Sequence, residues 1–104
     1  MTLFQKIMDS HLAVTDAVSH GERLSSDRYI VWEEDGRSDL LAEGAHGEIV
    51  ITGTSDLFTK NEFDPWAEEL EESMTMYDIA WSLDSVSYEE STGFWHYSWD
   101  WEVC

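Results

Sequence analysis

The chain has 104 residues, of which 23 are Asp or Glu and 5 are Lys or Arg, for a formal net charge of -18. That excess excludes nucleic-acid phosphates and anionic lipid as partners held by charge, because both are repelled over a Debye length of roughly 8–10 Å. Six Trp, four Tyr, four Phe and a hydrophobic fraction of 42% also exclude a disordered acidic tail and predict one folded domain over 1–104 with a core that needs no metal or disulfide.

Leu3, Phe4, Ile7 and Met8 recur at helical spacing behind Thr2, a good N-cap, and predict a short amphipathic helix ending near Ser10 or His11. Leu12 to Val18 reads either as more helix or as a short strand through Val14 and Val18. Arg28 to Glu33 is rich in aromatic and β-branched residues and predicts a central strand, with a turn at Asp35-Gly36. Gly44 and Gly47 read as turn residues around His46. Glu48 to Phe58 is the next strand, and Gly53 within it suggests a bulge or bend.

Asp64 followed by Pro65 is a specific helix start, and Trp66, Leu70, Met74 and Tyr77 continue as an apolar stripe to about Tyr77. Glu68, Glu69, Glu71 and Glu72 then fall on its flanks and outer face. A strand from Ile79 through Trp81 and Leu83, and a second stretch around Val86 and Tyr88, lead to a turn at Ser91-Thr92-Gly93. The last run alternates, with Trp95, Tyr97, Trp99, Trp101 and Val103 on one face and His96, Ser98, Asp100 and Glu102 on the other, as an antiparallel strand with one buried face does. The expected class is α+β, an antiparallel sheet of about four strands with two helices packed on one face.

Chemistry is sparse along this chain. His11, His20, His46 and His96 lack metal-ligand spacing, and they read as surface imidazoles with His96 half-exposed on the wet side of the last strand. No nucleophile elbow, phosphate-binding glycine loop or dinucleotide fingerprint is present, so neither a catalytic residue nor a cofactor is expected. Chance proximity of carboxylates in so acidic a chain carries no information about hydrolysis. The single cysteine, Cys104, permits no disulfide within the chain and points to a reducing compartment. The opening residues, with Asp9, His11 and Asp16, lack the basic-then-apolar pattern of a signal peptide, and no run approaches the roughly 20 apolar residues of a membrane span. A cytoplasmic location is expected.

The N-terminal helix, the strand Tyr29-Ile30-Val31-Trp32, the segment Ser55 to Lys60, the Glu-rich helix and the closing aromatic hairpin together resemble small head-to-tail joining proteins of prophages. These are the tail-completion or tail-terminator proteins of long-tailed phages, with the lambda-type terminator fold. Asp56-Leu57-Phe58-Thr59-Lys60 is similar to the family's Asp-Leu-Tyr-Thr-Lys strand end, and Tyr88 to Val103 to its closing hairpin. The resemblance implies a structural, non-enzymatic protein that forms a ring, expected to be a hexamer, capping the tail tube and docking it to the head connector. It would pass from cytoplasm to virion and carry no catalytic residue. A ring that conducts DNA gains from a negative lumen, which keeps phosphates off the wall. Trp66, Leu70, Trp81, Trp95, Tyr97, Trp99 and Trp101 are then core or subunit-interface residues, with Lys60 and Arg28 at subunit contacts.

The rival expectation is an acidic DNA mimic that inhibits a basic restriction, CRISPR or DNA-repair enzyme. Duplex DNA presents one charge per about 1.7 Å of axis, and a dense carboxylate surface imitates it. The candidate residues are Glu33, Glu34 and Asp35 after the first strand, Glu68, Glu69, Glu71 and Glu72 on the helix, and Glu89 and Glu90 at the hairpin. The two readings separate on where the acid lies, since a mimic needs one continuous band.

Overall fold

In the computed structural model, which describes residues 2–40 and 48–104, Thr2 caps helix α1 (Leu3–Leu12) by accepting the Gln5 amide at 3.0 Å. The helix runs to Leu12, slightly past its expected end, and a short strand β1 (Val18–His20) follows. The ambiguous stretch from Leu12 to Val18 is thus mostly a connection. Strands β2 (Arg28–Leu40) and β3 (Glu48–Thr59) precede helix α2 (Pro65–Met76), and β4 (Ala80–Glu89) and β5 (Phe94–Val103) close the chain.

The sheet order is β1-β2-β3-β5-β4, with β1 parallel to β2 and every other pair antiparallel. The class is α+β with both helices on one side, as expected, but among the described residues the sheet has five strands and is mixed rather than about four and antiparallel. The added strand is β1, whose three residues, Val18-Ser19-His20, are too few to show a period-two pattern. β2 lies inside the sheet between β1 and β3.

Asp35-Gly36 is not a turn. β2 continues through it with a bulge between Glu34 and Gly36, and Thr52 Oγ1 on β3 donates to the Asp35 carboxylate at 2.8 Å. The bulge lies in β2 opposite Gly53 rather than at Gly53. The glycine there is a packing requirement, since a Cβ would overlap the Glu33 carbonyl oxygen and the Trp101 ring. Beyond Ile51, β3 has no partner in β5, so among the described residues the far parts of β2 and β3 pair only with each other and project as a two-stranded arm. The expected turn at Gly44 and Gly47, and His46, lie outside the described residues.

On the helix side of the sheet, Ile30 and Trp32 of β2, Ile51 and Leu57 of β3, and Trp99, Trp101 and Val103 of β5 pack against Ile7 of α1 and Leu70 and Met74 of α2. Trp66 and Tyr77 complete the α2 stripe from its ends, half-buried against this core. Asp64 Oδ1 accepts the Trp66 amide at 2.9 Å as the N-cap, with Pro65 behind it where no amide is needed. At the other end Asp78 takes a left-handed turn, φ 57°, with its amide bonded to the Thr75 carbonyl and the Ile79 amide to the Met74 carbonyl. That double closure satisfies the last carbonyls, with Asp accepting the conformation glycine usually fills.

β4 and β5 form the expected hairpin, with Gly93 at φ 76° in the turn and its amide bonded to the Glu89 carbonyl. β4 is one strand rather than two stretches, and its register shifts between Leu83 and Ser85. The extra residue, Asp84, reverses the alternation. Leu83 opposes Trp99 and Val86 opposes Tyr97, so side chains three apart share the helix side.

Candidate interaction surface

The helix side holds a polar chain that the sequence reading missed. His11, expected at the surface, is fully buried, as are Ser10 and Ser55. Trp101 Nε1 donates to Ser55 Oγ at 2.9 Å, Ser55 Oγ donates to His11 Nε2 at 2.6 Å, and His11 Nδ1 donates to the Ile7 carbonyl at 2.7 Å. The neutral imidazole with its proton on Nδ1 satisfies both ends of this chain and gives the Ser55 hydroxyl proton an acceptor. Burial accordingly pushes His11 from 6.5 down to about 4, against the pull of the Ile7 hydrogen bond. A serine hydroxyl on a histidine nitrogen has the composition of a nucleophile and its base. Here both groups are sealed from solvent, and their bonds join α1 to β3 and β5. The signal was present, because His11 stands four residues after Ile7 on the buried stripe.

The family-like motif is likewise occupied in holding the fold. Asp56 accepts from His96 Nε2 on β5 at 2.7 Å, and Leu57 is fully buried in the core. Phe58 stacks with Tyr29 and His96 on the other side of the sheet, at centroid distances of 5.2 and 4.3 Å. Thr59 donates to Asp64 at 2.6 Å, and Lys60 bonds the Thr92 carbonyl in the hairpin turn while its ammonium lies 4.1 Å over Phe94. Asp64 also binds the Arg28 guanidinium through both oxygens, and Arg28 lies 3.7 Å over the Trp66 ring. Burial alone would raise the Asp64 pKa, but the hydrogen bonds from Arg28, Thr59 and the Trp66 amide outweigh it and hold the carboxyl below the usual range. Arg23 is spent in the same way, stacked 4.0 Å over Phe58 and bonded to Tyr29 and Glu89. Arg28 and Lys60, expected at subunit contacts, thus make their contacts within the chain.

The carboxylates do not line one band. Glu33 and Glu34 are adjacent on β2 and point to opposite sides of the sheet, with Asp35 displaced by the bulge. Glu33 pairs across Thr54 with Asp100 on the side away from the helices, whereas Glu68, Glu69 and Glu72 are exposed on α2, beyond the other side. Glu71 departs from the expected solvated face, being half-buried and accepting from Trp99 Nε1 at 3.0 Å. Glu89 is half-buried beside Arg23 and Thr92, and Glu90 is exposed at the hairpin end. Among the described residues, no group of three or more His, Cys, Asp and Glu could hold a metal ion, and no helix is long and apolar enough to cross a membrane.

What the surface offers instead is apolar. Of the aromatic face expected on β5, Trp99, Trp101 and Val103 are buried but Trp95 and Tyr97 are only half-buried, Tyr97 beside the start of α2. Trp81, expected in the core, is also half-buried, its Nε1 donating to Thr75 at 2.9 Å. On the edge strand β4, Leu83, Val86 and Tyr88 stand 46%, 44% and 50% exposed on this same side. A groove of about 320 Å³ runs from Leu83 and Tyr97 to Phe63, Pro65 and Glu68, and shares Glu68 and Glu71 with a second, wider hollow bounded by Met76 and Trp81. Phe63 and Met76 are almost fully exposed. The result is a ledge of neighbouring apolar side chains along a strand edge that is unpaired among the described residues, walled by the acidic face of α2.

No protein-family model matches the chain, and a search of curated proteins returns no match.

Proposed function

We propose that the chain is a structural subunit of the head-tail junction of a long-tailed phage, assembling into a ring that ends the tail tube and docks it to the head connector. The observation that carries this reading is the ledge on β4, where Leu83, Val86 and Tyr88 lie together on an open sheet edge in a chain otherwise coated with acid. Contiguous exposed apolar groups mark protein contact surfaces. The motif residues Asp56 to Lys60 support it by their placement, since they tie β3 to the hairpin and to α2 and leave the exterior free for docking.

The side of the sheet away from the helices suits a channel wall. Thr54, Asp100 and Ser82 lie in register across three strands, flanked by Asp56 and Glu102, and present hydroxyls and carboxylates that repel DNA phosphates. Three of the five basic residues, Arg23, Arg28 and Lys60, are held in contacts within the chain, which favours passage of nucleic acid over its capture. The DNA-mimic alternative draws less support, because its carboxylates divide between the two sides of the sheet.

The test mixes the purified protein with tail tubes of a related phage, followed by light scattering and electron microscopy. Rings, or capped tubes that stop growing, are expected. A monomer that leaves the tubes untouched overturns the proposal and directs the next trial to a basic DNA-binding enzyme.

A further inference from the structure

We infer that the open edge of β4 binds, by strand addition, an extended segment of a different protein that carries a short apolar stretch flanked by Lys or Arg. The inference rests on the reading of the chain as a protein-docking subunit and names the occupant of its ledge. Among the described residues β4 pairs only with β5, so its outer edge presents backbone donors and acceptors with no strand beside them. The bulge at Asp84 interrupts that edge, and beyond it Ser85 to Glu89 run in regular register with Ser98 to Phe94. This regular stretch accommodates a segment of similar length. Its side chains on the helix side would rest beside Val86 and Tyr88, both about half exposed, with Trp95 and Tyr97 behind them.

Charge chooses between a second copy and a different chain. A second β4, added antiparallel about Ser87 to use the whole regular stretch, would set Asp84 opposite Glu90 and bring two subunits of net charge -18 together. Like charges directly opposed across strands destabilise the pair. The ledge instead ends in acid on both sides: Glu68 and Glu71 line the groove beside Leu83, and Glu90 stands exposed past the other end. A cation at each end of the incoming segment meets these groups, and its apolar middle covers the ledge.

The experiment uses the full chain and a capped Lys-Lys-Val-Thr-Val-Thr-Val-Lys-Lys peptide, read by fluorescence anisotropy. Two control peptides replace every Lys by Glu, or both Thr by Pro to block backbone pairing. Binding of the basic peptide is expected to be at least about tenfold tighter than that of either control, to weaken with added salt, and to fall by a similar factor in Val86→Lys. Equal affinity for either control, no binding, or binding unchanged by Val86→Lys overturns the inference. Should Val86→Lys fail to fold, the control peptides on the unaltered protein decide alone. Tubes capped without peptide binding would sink this inference and leave the proposed function standing. Peptide binding with uncapped tubes would do the reverse.

Discussion

Beneath the helices, the sheet buries His11, Ser55 and Thr59 completely and gives each a partner, whereas farther along the same side Leu83, Val86 and Tyr88 stay about half exposed. These polar groups sit within an otherwise apolar core, while the apolar side chains of β4 remain outside it. The two regions differ in what covers them. α1 and α2 lie over β2, β3 and the C-terminal half of β5, where these three polar side chains cost little because each is hydrogen-bonded, whereas the buried Trp32 Nε1 on β2 has no partner among the described residues. Among the described residues no element covers the distal half of β4, and apolar groups left about half exposed there contribute less to folding than fully buried ones. The covered region is built for stability, and the uncovered one is where we propose that a partner docks.

The largest effect should come from the covered region. Leu70→Ala, at a fully buried site in its centre, should cost about 2–5 kcal/mol in urea denaturation, and a loss under 1 kcal/mol would mean the helices are not the stabilising cover. His11 should give the region a pH signature. Its folded pKa lies below its unfolded one, so the unfolded chain takes up the proton first as pH falls. Stability from this group is therefore intact above pH 6.5 and falls toward pH 4, by about 3 kcal/mol in all. Denaturation midpoints across that range should show this slope in the wild type and lose it in His11→Gln.

Asp64→Ala removes the α2 cap, the Arg28 pair and the Thr59 acceptor together, and should cost about 2 kcal/mol, moderated because Arg28 can turn to solvent. Asp64 has the opposite pH behaviour to a group that stabilises when protonated: its contribution is present above its unfolded pKa and fades as acid carries the pH down through its lowered folded value. Smallest of all should be Val86→Ser on the ledge, within about 0.5 kcal/mol of wild type by thermal unfolding. A cost above about 2 kcal/mol there would place Val86 in the core and dissolve the contrast between the two regions.

Much of the scaffold was legible from residue order. Asp64-Pro65 marks the start of α2, the stripe Leu70 and Met74 marks its buried face, and the alternation through Trp99, Trp101 and Val103 marks β5. Each signal is local, set by a cap, a helical period or a strand period. β1 was obscure because three residues carry no period, and Asp35-Gly36 imitated a turn because the same residue types also suit a bulge. For the candidate surface, the list of aromatic residues was legible but their exposure was not. Trp95 and Tyr97 share the alternation of Trp99 and Trp101, and differ in how far the packing of the fold covers them.

Local order along the chain thus specifies most of the elements, the buried stripes of α1, α2 and β5, and the strongly negative charge, because capping, side-chain period and charge are carried by neighbouring residues. Three-dimensional packing alone decides that His11 meets Ser55 across 44 positions, that a bulge at Asp84 turns Leu83 and Val86 to one side, and that β4 ends the sheet with its ledge uncovered. Those outcomes depend on strand order and on where the helices stop, which arise from contacts between residues far apart in the chain and leave no period in the sequence.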